Sequence, residues 1–181
     1  IFHTAGNNAS IPLLVGGVVL LVTLRGSCPE LAPAALTLLI LAAMTWHLLD
    51  YEKGRDLAAN DFAITTAGIV YLGWIGSYLI DVRNLPDGLF WLALVFPAVW
   101  LADSAAYFIG RRFGKHLLSP RLSPKKTWEG YWGGVIFGTI GTVGLAVLWH
   151  SLGGPAGFWW HGAVLGAVLS ILTPLGDLGE S

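Results

Sequence analysis

The stretch Leu118 to Gly130 reads Leu-Ser-Pro-Arg-Leu-Ser-Pro-Lys-Lys-Thr-Trp-Glu-Gly and lies between two very apolar segments. Counted with Lys115, it gathers four of the ten Lys and Arg side chains of the chain. Ser123 followed by Pro124 predicts a helix start, with Ser as N-cap and Pro at the first helical position. Lys125 and Lys126 then fall in the first turn. A helix N-terminus already carries partial positive charge, so two ammonium groups there are unfavourable unless an anion sits between them. Free backbone N–H groups beside two ammonium groups suit a polyphosphate. The plainer alternative is membrane-anchoring charge of the kind most multispan proteins carry on their cytoplasmic side. Thr127 and Glu129, close behind, favour a binding site.

Carboxylates provide a second chemical signal. Asp103 lies inside an apolar run, Trp100-Leu101-Ala102-Asp103-Ser104-Ala105-Ala106-Tyr107. A carboxylate at such a depth costs about 2.5–3.5 kcal/mol and so faces a cavity or a partner. Asp103, Tyr107 and Arg111 repeat at i, i+4 and i+8, one stripe of a helix leading from mid-span to the basic loop. The stripe reads as the wall of a polar pocket, or else Asp103 is a structural group paired to another helix. Asp177 follows Thr173-Pro174-Leu175-Gly176 at the end of the last apolar run, and Glu180 and Ser181 come next. Carboxylates beside a phosphate site point to Mg2+, which prefers oxygen ligands and shares them with substrate phosphates. An ordinary solvated span end is the alternative for Asp177.

Other chemistries find little support. His47, His150 and His161 sit near span ends, and no pair of histidines has zinc-ligand spacing. His116 lies in the basic loop, within reach of a phosphate. There is no Gly-x-x-x-x-Gly-Lys-Ser/Thr loop. The basic loop lacks the aromatic interleaving of a nucleic-acid surface, so no nucleic-acid partner is expected.

The elements that hold these residues are membrane spans. Of 181 residues, 55% are hydrophobic and only 12% charged, against about 25% charged in soluble domains. The fold class expected is an all-α integral membrane protein, a polytopic helical bundle of about six transmembrane helices, since roughly 20 apolar residues cross a bilayer. The predicted spans are Ile11–Leu24 (short), Leu31–Leu49, Phe62–Ile80, Gly88–Ile109, Trp132–His150 and Phe158–Pro174. Short loops make neighbours antiparallel within a single membrane domain. Residues 1–96 supply the first spans and residues 97–181 the half with the candidate site. With this parity, the loops Asp50–Asp61 and Gly110–Tyr131 share one side and carry eight Lys and Arg residues, against Arg25 and Arg83 on the other. That asymmetry puts the basic loop, and the end of the last span with Asp177, in the cytoplasm. Cys28 is the one cysteine, so an internal disulfide is impossible. The chain starts at Ile1 and stops just after an apolar segment, and both ends are expected to be cut.

The ordered set Asp103-Ser104-Ala105-Ala106-Tyr107, Gly110-Arg111, Phe113-Gly114-Lys115, Leu118-Ser119-Pro120, Ser123-Pro124-Lys125-Lys126-Thr127-Trp128-Glu129-Gly130, Gly133-Gly134 and Gly176-Asp177-Leu178 closely resembles the bacterial phosphatidate cytidylyltransferases, or CDP-diacylglycerol synthases. The resemblance covers about residues 97–181 and is confined to hydropathy before them. It implies transfer of a cytidylyl group from CTP to phosphatidate, with Mg2+, at the cytoplasmic face of a bacterial inner membrane. Asp177 would be a metal ligand and, with Asp103 and Lys126, form the catalytic set. Ser123, Lys125, Lys126, Thr127, Glu129, Arg111 and Lys115 would bind CTP and its phosphates. The resemblance leaves room for a second cation and a homodimer. It also implies a Lys-Arg pair, a His-Gly-Gly and a second metal-binding Asp beyond the position of Ser181, so the 181 residues alone are expected to be inactive. Two other functions fit the residues less well. A CTP-dependent kinase of a polyprenol or similar lipid alcohol would release CDP rather than pyrophosphate. A transporter subunit would need a second charged span, and none is present.

Overall fold

A computed structural model describes residues 8–121, 123–154 and 158–180, without the side chains of 158, 175 and 177–180. The chain is an all-α membrane protein, with six α-helices among the described residues. The stretches Pro29–Glu52, Ala58–Asn84, Gly88–Phe113 and Trp128–Ser151 are each long and apolar enough to cross a membrane, and Ile11–Ser27 is a shorter apolar helix. The chain divides into two compact units, Ile1–Asn84 and Leu85–Ser181.

The first unit holds α1 (Ile11–Ser27), α2 (Ala32–Glu52) and α3 (Ala58–Asn84). Pro12 opens α1 and Pro33 opens α2, where the missing N–H costs nothing. The middle turns of α3, Ile69–Ile75, are π-helical. There α1 lies so close that a Cβ on Gly73 would be 3.2 Å from Val18 Cα. Leu21, Ala35 and Ile69 form the buried apolar cluster. At the outer turn of α3 the Arg25 guanidinium stacks 4.0 Å from the Tyr78 ring and 4.8 Å from Trp74, and its Nε lies 3.4 Å from Asp81.

Polar groups bind the other end of this unit together. Asp61 is fully buried. Its carboxylate accepts the Asn8 N–H at 2.7 Å and pairs with the Arg55 guanidinium. Thr65 Oγ1 donates to the Asp61 carbonyl at 2.9 Å, so its oxygen is left to accept the Ser10 N–H at 3.1 Å and His47 Nε2–H at 3.1 Å. That assignment fixes the tautomer of His47 through its partner. The Asp61 hydrogen bond holds Arg55, which lies between α2 and α3, above the usual guanidinium range.

The second unit holds α4 (Gly88–Phe113), β1 (Leu117–Ser119), β2 (Ser123–Thr127), α5 (Trp128–Ser151) and α6 (Phe158–Glu180). The helices meet along small residues. Ala102, Gly133, Gly134, Gly138 and Ala146 are buried, whereas Phe96, Trp100 and Ile140 point outward, 59%, 75% and 61% exposed. This is the packing of helices in lipid, where apolar bulk gains nothing by turning inward and close backbone approach supplies the contact. A Cβ on Gly138 would be 2.9 Å from Ala102 Cα.

The basic loop departs from the sequence expectation. Ser123 is not an N-cap, Pro124 is not a first helical residue, and Lys125 and Lys126 are not in a first turn. Residues 123–127 are instead β2, antiparallel to β1, with Leu117 opposite Thr127 and Ser119 opposite Ser123. The helix starts at Trp128, with Thr127 as N-cap: its Oγ1 accepts the Gly130 N–H at 3.2 Å. The physical reason is visible in retrospect. Starting at Trp128 keeps both ammonium groups out of the positive helix end and puts Glu129 there in their place. The partner strand that stabilises this choice is non-local and leaves no trace in the Ser-Pro signal.

Candidate active site at the α4–hairpin–α5 cavity

A cavity of about 540 Å3 opens between α4, the hairpin and α5. Helix α4 supplies Asp103, Ala106, Tyr107, Gly110 and Arg111. These positions are one face of a 3.6-residue helix, so the stripe read from the sequence is a true wall. Strand β2 supplies Ser123, Lys125, Lys126 and Thr127, and Leu118 comes from β1. Gly130 and Tyr131 of α5 and Pro174 of α6 complete it. The floor can close because α5 rides on α4: a Cβ on Gly130 would be 2.8 Å from the Ala106 carbonyl oxygen and 3.0 Å from Gly110 Cα.

Depth separates the charges. The Nζ of Lys126 is shielded from solvent, whereas Lys125 is exposed at the rim. Neighbours on a strand point to opposite faces, and this makes the two lysines unequal. Asp103 is half-buried on the helical wall. Arg111 is exposed and donates from Nη1 to the Tyr107 hydroxyl at 2.9 Å. Among the described residues the cavity wall thus combines three cations, one carboxylate and the hydroxyls of Tyr107, Ser123, Thr127 and Tyr131, and charge effects are strengthened there where the local dielectric is low.

Six of the predicted residues therefore meet: Asp103, Arg111, Ser123, Lys125, Lys126 and Thr127. Glu129 and Lys115 lie outside the cavity wall. Glu129 Oε2 accepts the backbone N–H groups of Lys115 and His116 at 3.1 and 3.2 Å, and Oε1 lies 2.6 Å from His116 Nδ1. Its carboxylate ties the exit of α4 to the start of α5 and holds the base of the hairpin. We predict that Glu129→Ala weakens polyphosphate binding at the cavity about five- to tenfold, because the strand carrying Lys125 and Lys126 loses its brace. Glu129→Gln, which keeps one acceptor, recovers part of that loss in the same titration. The side chain of Asp177 lies outside the described residues. Its helix passes the site, since Pro174 lines the cavity one turn earlier. Sequence reasoning missed Tyr131, Leu118 and Gly110 as wall residues. Gly110 was accessible from the helical spacing around Asp103 and Tyr107, but Leu118 needed the hairpin.

Comparison with known proteins decides the family. The sequence profile described as "Cytidylyltransferase family" matches residues 1–181. The chain belongs to the cytidylyltransferase family. It is 34% identical over 170 residues to the phosphatidate cytidylyltransferase of Brucella suis biovar 1 (strain 1330), covering 93% of this chain and 56% of that protein. The phosphatidate cytidylyltransferase of Staphylococcus saprophyticus is 35% identical over 151 residues, 78% of this chain and 53% of its own length. That of Mycobacterium tuberculosis (strain ATCC 25618 / H37Rv) is 31% identical over 186 residues, 94% and 54% respectively. The chain spans about half the length of the curated relatives it matches. The matched region contains the cavity and every described residue that lines it.

Proposed function

We propose that the protein of which this chain forms part transfers a cytidylyl group from CTP to phosphatidate, giving CDP-diacylglycerol and pyrophosphate. The observation that carries the reading is the cationic cavity set into membrane-crossing helices, with the solvent-shielded Lys126 ammonium on its wall. A nucleoside triphosphate matches the cations, and an acceptor with a lipid tail explains a charged cavity walled by a helix of this length and apolarity. The names of the family relatives agree with it.

The reaction asks little covalent help of the protein. An oxygen of the lipid phosphate, already unprotonated near neutral pH, attacks the α-phosphorus of CTP. The bond from that phosphorus to the bridging oxygen of the β-phosphate breaks, and pyrophosphate leaves with the electron pair. No proton moves, so no general base is required, and catalysis rests on positioning and charge neutralisation. Lys126 holds the phosphates from within and Lys125 from the rim, with the Ser123 and Thr127 hydroxyls beside them.

The donor set fits a hard divalent cation: among the described residues the cavity wall offers the Asp103 carboxylate and no thiol or imidazole. Mg2+ held by Asp103, Asp177 and phosphate oxygens would neutralise the charge that builds on the leaving pyrophosphate. We place the protein in a bacterial inner membrane with the basic hairpin on the cytoplasmic side, as the Lys and Arg asymmetry indicates.

Product analysis tests the reading. The full-length protein in detergent with phosphatidate, labelled CTP and Mg2+ should yield CDP-lipid and pyrophosphate in equal amounts. Release of CDP, dependent on an added polyprenol, would move the assignment to a lipid-alcohol kinase. No consumption of CTP under either condition would refute both.

A further inference from the structure

Two anions must share this cavity if the proposed reaction is right, and the cations divide into two groups by the element that carries them. Lys125 and Lys126 stand on β2. Arg111 stands at the end of α4, two turns beyond Asp103 on the same face. A phosphomonoester carries about −1.5 to −2 charge near neutral pH. The lysine pair already faces the more highly charged triphosphate. A second phosphate brought against it for attack needs its own cation.

We infer that Arg111, set in place by the Tyr107 hydroxyl, is the anchor for the phosphate of the lipid acceptor rather than one of the CTP-binding residues that the sequence resemblance implied; the inference rests on the cytidylyl-transfer reading of the site. The hydrogen bond from Arg111 Nη1 to Tyr107 uses one of five N–H donors and turns the guanidinium back along α4, toward the cavity both residues line. The remaining donors form the planar fork that grips a phosphate at two oxygens. Tyr107 is 58% exposed while lining the cavity, so it forms part of the rim on a membrane-crossing helix. Its ring packs edge-on to Phe108 at 5.5 Å, and Phe108 is itself 67% exposed. A lipid keeps its acyl chains in the bilayer and can bring its phosphate in only past such an apolar rim. A free nucleotide has no need of it. Tyr107 is therefore a positioning residue that selects a tailed acceptor through Arg111.

The test is binding, read without turnover. The full-length protein in detergent would be titrated with phosphatidate, with diacylglycerol and with inorganic phosphate, and CTP binding would be measured in parallel. Wild type should prefer phosphatidate to diacylglycerol, and inorganic phosphate should compete weakly. Arg111→Gln should weaken phosphatidate binding at least tenfold and Tyr107→Phe about threefold, while CTP affinity stays within twofold. Arg111→Lys should restore only part of the loss, because the fork is gone. Unchanged phosphatidate affinity in Arg111→Gln, an equal loss of CTP affinity, or inorganic phosphate competing as well as the lipid would each overturn the inference. Cytidylyl transfer by wild type, assayed separately, separates the two levels. Turnover with Arg111→Gln binding phosphatidate normally removes the anchor alone; the expected binding pattern without CDP-lipid formation removes the reaction and leaves the anion subsite.

Discussion

Replacing Lys126 by methionine should lower kcat/KM for CTP by about 10²–10³-fold, the loss typical of removing one preorganised charge-stabilising donor. The magnitude follows from where the ammonium sits. Its Nζ is shielded from solvent at the inner side of β2, so water cannot take over its role. Charge neutralisation is also worth more there than at a wet surface. Lys125 is the internal control. It lines the same cavity but is exposed, so Lys125→Met should cost at most about fivefold, the range of a solvated charge contact. Steady-state kinetics on both variants, with folding checked by circular dichroism, provide the measurement. Equal losses at the two positions would mean that depth does not distinguish them, and the greater weight assigned to the shielded Lys126 would fall.

A second large effect is expected far from the cavity in sequence, at Asp61. Its carboxylate joins the Asn8 N–H and the Arg55 guanidinium while itself fully buried. Removing one member of a buried charged pair leaves the other groups desolvated and unmatched, with typical costs of about 3–5 kcal/mol. Arg55 keeps some access to water, its side chain being 30% exposed. The lower end of that range, about 3 kcal/mol, is therefore expected for Asp61→Ala. Asp61→Asn keeps the acceptor for Asn8 and should lose less. Thermal unfolding in detergent, followed by tryptophan fluorescence, should show the midpoint several degrees lower for Asp61→Ala and an intermediate value for Asp61→Asn. An unshifted midpoint for Asp61→Ala would show that the buried pair contributes nothing net.

Much of this architecture was legible from residue order. The apolar runs place the helices to within a few residues, because a membrane span must satisfy its own backbone and has little alternative to a helix. The stripe Asp103, Tyr107, Arg111 was legible for a related reason: helical periodicity is local, and all three residues line one cavity. The basic loop was misread because local cues competed. Ser123-Pro124 and Thr127 with Glu129 are both respectable helix starts, and the pairing of β1 with β2 settles the choice through contacts the chain order does not display. Glu129 illustrates the same limit. Its spacing behind the lysines gave no sign that its carboxylate would be engaged by Lys115 and His116 at the foot of the hairpin. The π-helical turns at Ile69–Ile75 had no cue in composition at all.

The seam between α4 and α5 inverts the usual map of which residues a protein can change. In a water-soluble domain the large apolar side chains are the least replaceable, because they fill the centre. Here Phe96, Trp100 and Ile140 face outward, and lipid hydrocarbon around such a helix conforms to any apolar shape. Leucine, phenylalanine and isoleucine should be nearly interchangeable at those places. Gly138, with no side chain at all, is the one whose neighbours, the buried Ala102 among them, leave no room for a methyl group. Drift among related chains should therefore run fast through the bulky positions and stall at the smallest ones.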